Sequence, residues 1–88
     1  MGTSAPVILR VGTPEYACVV VDTSDGMRYE ASLRSFESVY CFPKTPEAWN
    51  AVTQDSSGLA LVWTSRFEVH VDQVIALARR AERRRQSA

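Results

Sequence analysis

Five consecutive apolar residues, Ala17-Cys18-Val19-Val20-Val21, constrain this chain more than any other stretch. The run is too short for a helix and is loaded with β-branched valine, so Tyr16 to Asp22 is predicted as a strand. An unbroken apolar run expects cover on both faces, which places the strand centrally in its sheet. Thr23-Ser24-Asp25-Gly26 follows, and Asp-Gly tolerates the positive φ angles of tight hairpin turns. From Met27 the pattern alternates. Met27, Tyr29, Ala31 and Leu33 share one face; Arg28, Glu30, Ser32 and Arg34 share the other. The two segments form an antiparallel hairpin. Upstream, Val7-Ile8-Leu9-Arg10-Val11 is a further strand, closed by the breakers Gly12-Thr13-Pro14.

The segment Ser35 to Pro43 fits no single period and reads as an irregular linker with a helical turn. Thr45-Pro46-Glu47 is a helix start: an N-cap, proline at the first position, and an acid at the positive dipole end. The expected helix runs from about Pro46 to Gln54, presents Ala48, Trp49 and Val52, and breaks at Asp55-Ser56-Ser57-Gly58. A second hairpin pairs Leu59–Trp63 with Phe67–Val71 across Thr64-Ser65-Arg66. Asp72 is expected to cap a final helix whose stripe is Val74, Leu77, Ala78 and Ala81. Beyond Ala81 the helix is expected to fray. The fold class is therefore α+β: a small, mostly antiparallel sheet from two hairpins, a short middle helix and a C-terminal amphipathic helix. With 88 residues, one domain spans 1–88, with a core over about 7–81 and a basic tail over 82–88. At this size only about 60–65% of the unfolded surface is buried, so a thin core without a deep pocket is expected.

Candidate chemistry is sparse. Glu68, His70 and Asp72 at period-2 spacing could hold a divalent metal or act as a base. The simpler reading is the wet face of an amphipathic strand, with Asp72 used as a cap, and it is favoured. A single histidine excludes every two-His zinc pattern. The serines lack a Gly-x-Ser-x-Gly context, and Gly2, Gly12, Gly26 and Gly58 lie too far apart to cradle a phosphate. Turn chemistry accounts for Asp22 and Asp25. Trp49 and Trp63 read as core. No catalytic, cofactor-binding or metal-ligating residue is expected, and the chain reads as a non-enzyme.

Cys18 and Cys41 read as small buried hydrophobes with reduced thiols, hence a cytoplasmic protein. Met1–Pro6 has no basic or apolar leader pattern, Pro6 stands where a myristoylation signal requires Ser or Thr, and no apolar run is long enough for a membrane span. Ten basic residues balance ten acidic ones. The balance hides a segregation: from Gln73 onward Arg79, Arg80, Arg83, Arg84 and Arg85 stand against Glu82 alone, and the rest of the chain is correspondingly acidic. These five arginines exceed what a helix cap requires and are the candidate partner-binding residues; a solvated helix end is the first reading, a protein contact the second and nucleic acid the third.

The order of elements, with Ser24-Asp25-Gly26, then Trp63, then Phe67-Glu68-Val69 and Asp72, resembles the DUF2442 family of small bacterial domains over about Val7 to Leu77. It departs at Thr64-Ser65-Arg66, where family members commonly carry a glycine. The resemblance implies an α+β fold and no established reaction. Some relatives are joined to helix-turn-helix domains or encoded beside toxin-like proteins, which implies an accessory or antitoxin-like role. The expected function is a non-enzymatic protein-interaction module binding another polypeptide or itself as a homodimer, through a sheet edge or the last helix. A nucleic-acid-binding accessory using the arginine-rich helix is the alternative; it lacks a helix-turn-helix pattern and an overall basic charge.

Overall fold

The computed structural model describes residues 6–39 and 41–86, with side chains placed through Ala81. Among these residues six strands and two helices follow one another. They are β1 (Ile8–Gly12), β2 (Cys18–Thr23), β3 (Arg28–Ser32), a 3-10 turn at Arg34–Phe36, α1 (Pro46–Asn50), β4 (Thr53–Gln54), β5 (Ala60–Thr64), β6 (Phe67–His70) and α2 (Val71–Gln86). The fold is α+β. Its strands form two antiparallel three-stranded sheets, β1-β2-β3 and β4-β5-β6. Each is a hairpin widened by one further strand.

The valine strand is central, as its composition predicts. Val19 and Val21 are fully buried, but Cys18, Val20 and Asp22 are only half-buried. Cover on both faces is thus not complete: one face packs in the core, and the other is sheltered mainly by its lateral neighbours. Gly26 has φ +82°, and the buried Thr23 hydroxyl donates to the Asp25 carboxylate across the turn. Tyr29, Ala31 and Leu33 are buried. Met27 is half-exposed because it sits in the turn, before β3 begins.

Thr45 caps α1, its hydroxyl accepting from the Ala48 N–H at 3.1 Å. The helix ends at Asn50, four residues short of the expected Gln54. Thr53 and Gln54 instead pair with Val62 and Leu61, and the Gln54 side chain donates to the Ile8 carbonyl at 2.6 Å. Tertiary pairing outweighs helix continuation here. Ala48 is exposed and Val52 half-buried, so Trp49 alone anchors α1.

Both tryptophans lie in the core. Their rings stack at 4.5 Å and 28°; Trp63 Nε1 donates to the Trp49 carbonyl at 2.9 Å, and Trp49 Nε1 to the Cys18 carbonyl at 3.0 Å. Phe42 stacks on Trp49, and Phe67 packs edge-on to Phe42. Indoles bury large areas only where their N–H finds an acceptor, and both do. This aromatic column ties α1 to both sheets.

The sheets meet where Ile8 N–H donates to the Gly58 carbonyl at 2.7 Å and β1 borders β4. On the opposite side α2 packs chiefly against β3 and secondarily against β6. The elements therefore close a ring around the core. Val71 and Ile75 join Val74 and Ala78 as buried α2 residues, widening the expected stripe. The helix backbone continues to Gln86, so the fraying expected after Ala81 is not observed.

Candidate interaction groove

Strand β6 is an outer strand of its sheet, with β4 at the other edge. Register shows which of its main-chain groups face outward. Val71 N–H donates to the Leu59 carbonyl at 2.8 Å, and His70 lies opposite Ala60. In an antiparallel ladder, N–H and C=O of one residue point the same way, and neighbours alternate. Val69 and Val71 thus bond towards β5, while Glu68 and His70 face the open edge. The other side of β5 agrees, since Asp55 N–H donates to the Ala60 carbonyl at 2.9 Å.

The outward N–H of His70 is already used. It donates to Gln73 Oε1 at 3.0 Å, and His70 Nδ1 accepts from the Asp72 N–H at 3.2 Å. This is a reciprocal cap at the start of α2, with histidine in the N-cap position. Asp72 is therefore not the cap. It sits inside the first turn, where its charge suits the positive end of the helix. The helix also begins two residues earlier than a cap at Asp72 would place it, at Val71 rather than Gln73, which ends the strand face at His70. Glu68, His70 and Asp72 consequently do not share a strand face, and among the described residues no group of three ligating side chains comes together.

An open cleft of about 360 Å³ runs along this edge. Five consecutive residues, Ser65 to Val69, line one side, and Phe36, Val39 and Gln73 complete it. Side chains of a strand alternate between faces, so lining by consecutive residues means that the cleft follows the strand edge itself. Phe36 packs edge-on to Phe67 at 6.5 Å, and Val39 is 41% exposed. Phe36 and Gln73 also line a second hollow, of about 180 Å³, with Ala76, Leu77 and Arg80. Leu77 and Arg80 in turn border a third, of about 320 Å³, with Ser32, Arg34, Ser35 and Ala81. Their shared lining residues set the three in a row, a channel from the β6 edge to Arg80. Arg34 is held by Glu37 at 3.1 Å, whereas Arg66 and Arg80 make no ion pair among the described residues.

Of the five arginines singled out in the sequence, Arg80 lines this channel. Arg79 is also exposed on α2, and its charge helps to hold the Asp25 carboxyl below its ordinary range, behind the larger effect of the Thr23 hydroxyl. The side chains of Arg83, Arg84 and Arg85 lie outside the described residues. Phe36, Val39, Arg66 and Gln73 were not singled out. Phe36 and Val39, two apolar residues three apart in the irregular segment Ser35–Pro43, were the available signal.

Both cysteines are free and half-buried rather than fully buried. Burial, reinforced by the neighbouring Glu15 carboxylate that accepts from its Sγ at 3.4 Å, pushes the Cys18 thiol up. Cys18 is therefore not an activated nucleophile. No helix among the described residues is long and apolar enough to cross a membrane.

No protein-family model and no curated protein matches the chain. A solved structure of a protein of unknown function from Rhodospirillum rubrum ATCC 11170 is similar, with a TM-score of 0.63 and 18% identity, over 83% of this chain and 88% of that one. At that identity the likeness establishes a shared fold and nothing further.

Proposed function

We propose that this protein is a non-enzymatic, cofactor-free interaction module that binds another polypeptide in the channel between β6, the 3-10 turn and α2. The observation that carries the reading is the row of adjoining hollows, which sets an open strand edge and the exposed Val39 and Ala76 beside Arg66 and Arg80, two arginines without an ion-pair partner among the described residues. Peptide recognition commonly combines these features. The resemblance to the DUF2442 family supports an accessory, antitoxin-like setting for the same activity. Free Cys18 and Cys41 suit a reducing compartment, the cytoplasm.

Affinity capture from the native host tests the reading, with the wild type compared against a Val39→Asp/Ala76→Glu variant. Both positions are exposed and line the channel, so the variant retains the fold, which circular dichroism checks. A polypeptide retained by the wild type, resistant to nuclease and lost from the variant is expected. Capture that survives the double change, or that nuclease abolishes, overturns the reading. The nuclease-sensitive outcome would point instead to nucleic acid on the adjacent exposed Arg79 and Arg80.

A further inference from the structure

Resting on the polypeptide-binding reading, we infer that the occupant is an extended segment of a different protein, added as a strand at Glu68, apolar at the two positions flanking that contact and acidic where it reaches Arg80. The main chain sets the first part. Register leaves Glu68 facing outward with both its N–H and its C=O, while the next outward N–H, that of His70, is held by Gln73. At the other end, the Arg66 N–H is taken by the Thr64 hydroxyl at 3.2 Å. The open edge is thus one residue wide. An incoming strand exchanges one pair of main-chain hydrogen bonds there and must draw the rest of its affinity from side chains.

The pleat decides where those side chains go. The residue opposite Glu68 shares its solvent face, and its two neighbours share the face of Phe67 and Val69. That second face opens onto Phe36 and Val39, so the neighbours are apolar. Arg80 lies seven residues along α2 from Gln73, about 10 Å at 1.5 Å per residue, which an extended chain covers in about three residues beyond the two that separate Glu68 from His70, where Gln73 is bonded. An acidic side chain at that distance meets Arg80, which has no ion-pair partner among the described residues.

The same edge disfavours a second copy of this chain. A two-fold strand pair that uses the single open residue sets Glu68 directly opposite Glu68 of the other copy, and like charges directly opposite destabilise a strand pair. A foreign strand can place threonine or lysine there.

The test uses the full chain and a labelled peptide, acetyl-Glu-Glu-Thr-Thr-Thr-Val-Thr-Val-amide, whose seventh residue is placed antiparallel opposite Glu68 so that its N-terminal acids run past Gln73. Controls are the same peptide beginning Lys-Lys and one N-methylated at its seventh residue. Fluorescence anisotropy measures affinity, and amide exchange by NMR follows the Glu68 N–H. Expected are saturable binding, slowed Glu68 exchange in the bound state, and a loss of about two- to fivefold with the lysine peptide or with Arg80→Gln, in line with paired charges at an exposed site. N-methylation should abolish the slowed exchange. Absence of binding at millimolar peptide, equal affinity for acidic and basic peptides, or unchanged Glu68 exchange overturns the inference. So does Glu68 protection that appears without peptide and grows with protein concentration, which marks a second copy. Channel-dependent capture of a host polypeptide in the preceding experiment would survive any of these failures, because it does not require strand addition.

Discussion

Replacing Gly58 by alanine tests how the two sheets are joined. Gly58 has φ +74°, and a Cβ built there would lie 3.0 Å from Val7 Cβ and 3.4 Å from the Ile8 carbonyl oxygen. Gly26 is the natural control: φ is +82°, and nothing lies within 4 Å of its Cβ position. Left-handed backbone costs a non-glycine residue about 1–2 kcal/mol, so Gly26→Ala should destabilise by about 1 kcal/mol once the stiffer unfolded chain is allowed for. Gly58→Ala carries the same cost plus that of forcing backbone and side chain apart, about 1–3 kcal/mol. It also strains the 2.7 Å bond from Ile8 N–H to the Gly58 carbonyl, which ties β1 to the second sheet. The expected total is about 2–4 kcal/mol. Urea unfolding followed by tryptophan fluorescence measures both variants, with unchanged m-values as the check on two-state behaviour. Val7→Gly removes the opposing Cβ, so the double variant should recover about 1 kcal/mol of the Gly58 loss relative to additivity. Equal losses at Gly26 and Gly58, or strict additivity with Val7→Gly, would refute a tight seam at this corner.

Three further outcomes follow from local chemistry. His70→Ala should cost about 0.5–1 kcal/mol in urea unfolding, whereas His70→Ser, which restores a capping oxygen, should cost less. The Asp25 carboxyl is held below its ordinary value of 3.8 by the Thr23 hydroxyl first and the Met27 N–H next, so its contribution is complete well above pH 3.8 and is lost as pH falls through and below that value; Asp25→Asn should flatten the acid side of a stability-against-pH curve. Cys18, pushed up by burial and by Glu15, should alkylate with iodoacetamide at pH 8 more slowly than a free thiol, and Glu15→Gln should speed it.

The parts of the fold legible in the sequence are those where one period dominates. The valine run and the alternation from Met27 mark β2 and β3, because each side chain is placed by the strand that carries it. The recurrence of Val74, Leu77 and Ala78 marks α2 for the same reason. Elements decided by contacts far along the chain were not legible. Thr53 and Gln54 have no strand pattern of their own; they form β4 because Val62 and Leu61 offer partners and because the Gln54 side chain reaches Ile8. That pairing also shortens α1. His70 escaped notice as a cap because histidine is not among the usual capping residues, and its role exists only through Gln73 and the Asp72 N–H. The channel was hidden for a related reason. Its lining is drawn from the 3-10 turn, β6 and α2, and only Arg80 among its residues stood among the arginines proposed from the sequence to bind a partner.

What the sequence could not show is how the chain treats its sheet edges, and this bears directly on function. Exposed edges invite unwanted pairing, and proteins usually shorten or cover them. Here β1 is engaged at Ile8 by Gly58 and Gln54, β4 is two residues long and borders β1, and α2 packs beside β3. At β6 the blunting is incomplete: Gln73 occupies the His70 N–H and Thr64 occupies the Arg66 N–H, yet Glu68 between them stays open beside Phe36 and Val39. If stability alone had shaped this edge, the cheapest remedy would be a polar residue in place of Val39, which is exposed and whose removal costs little burial. An exposed valine beside a single open strand position, with arginine at the far end of the same channel, is instead the arrangement that a short guest strand requires. The negative charge of Glu68 then acts as a filter, admitting a foreign strand while discouraging the symmetric pairing of two copies.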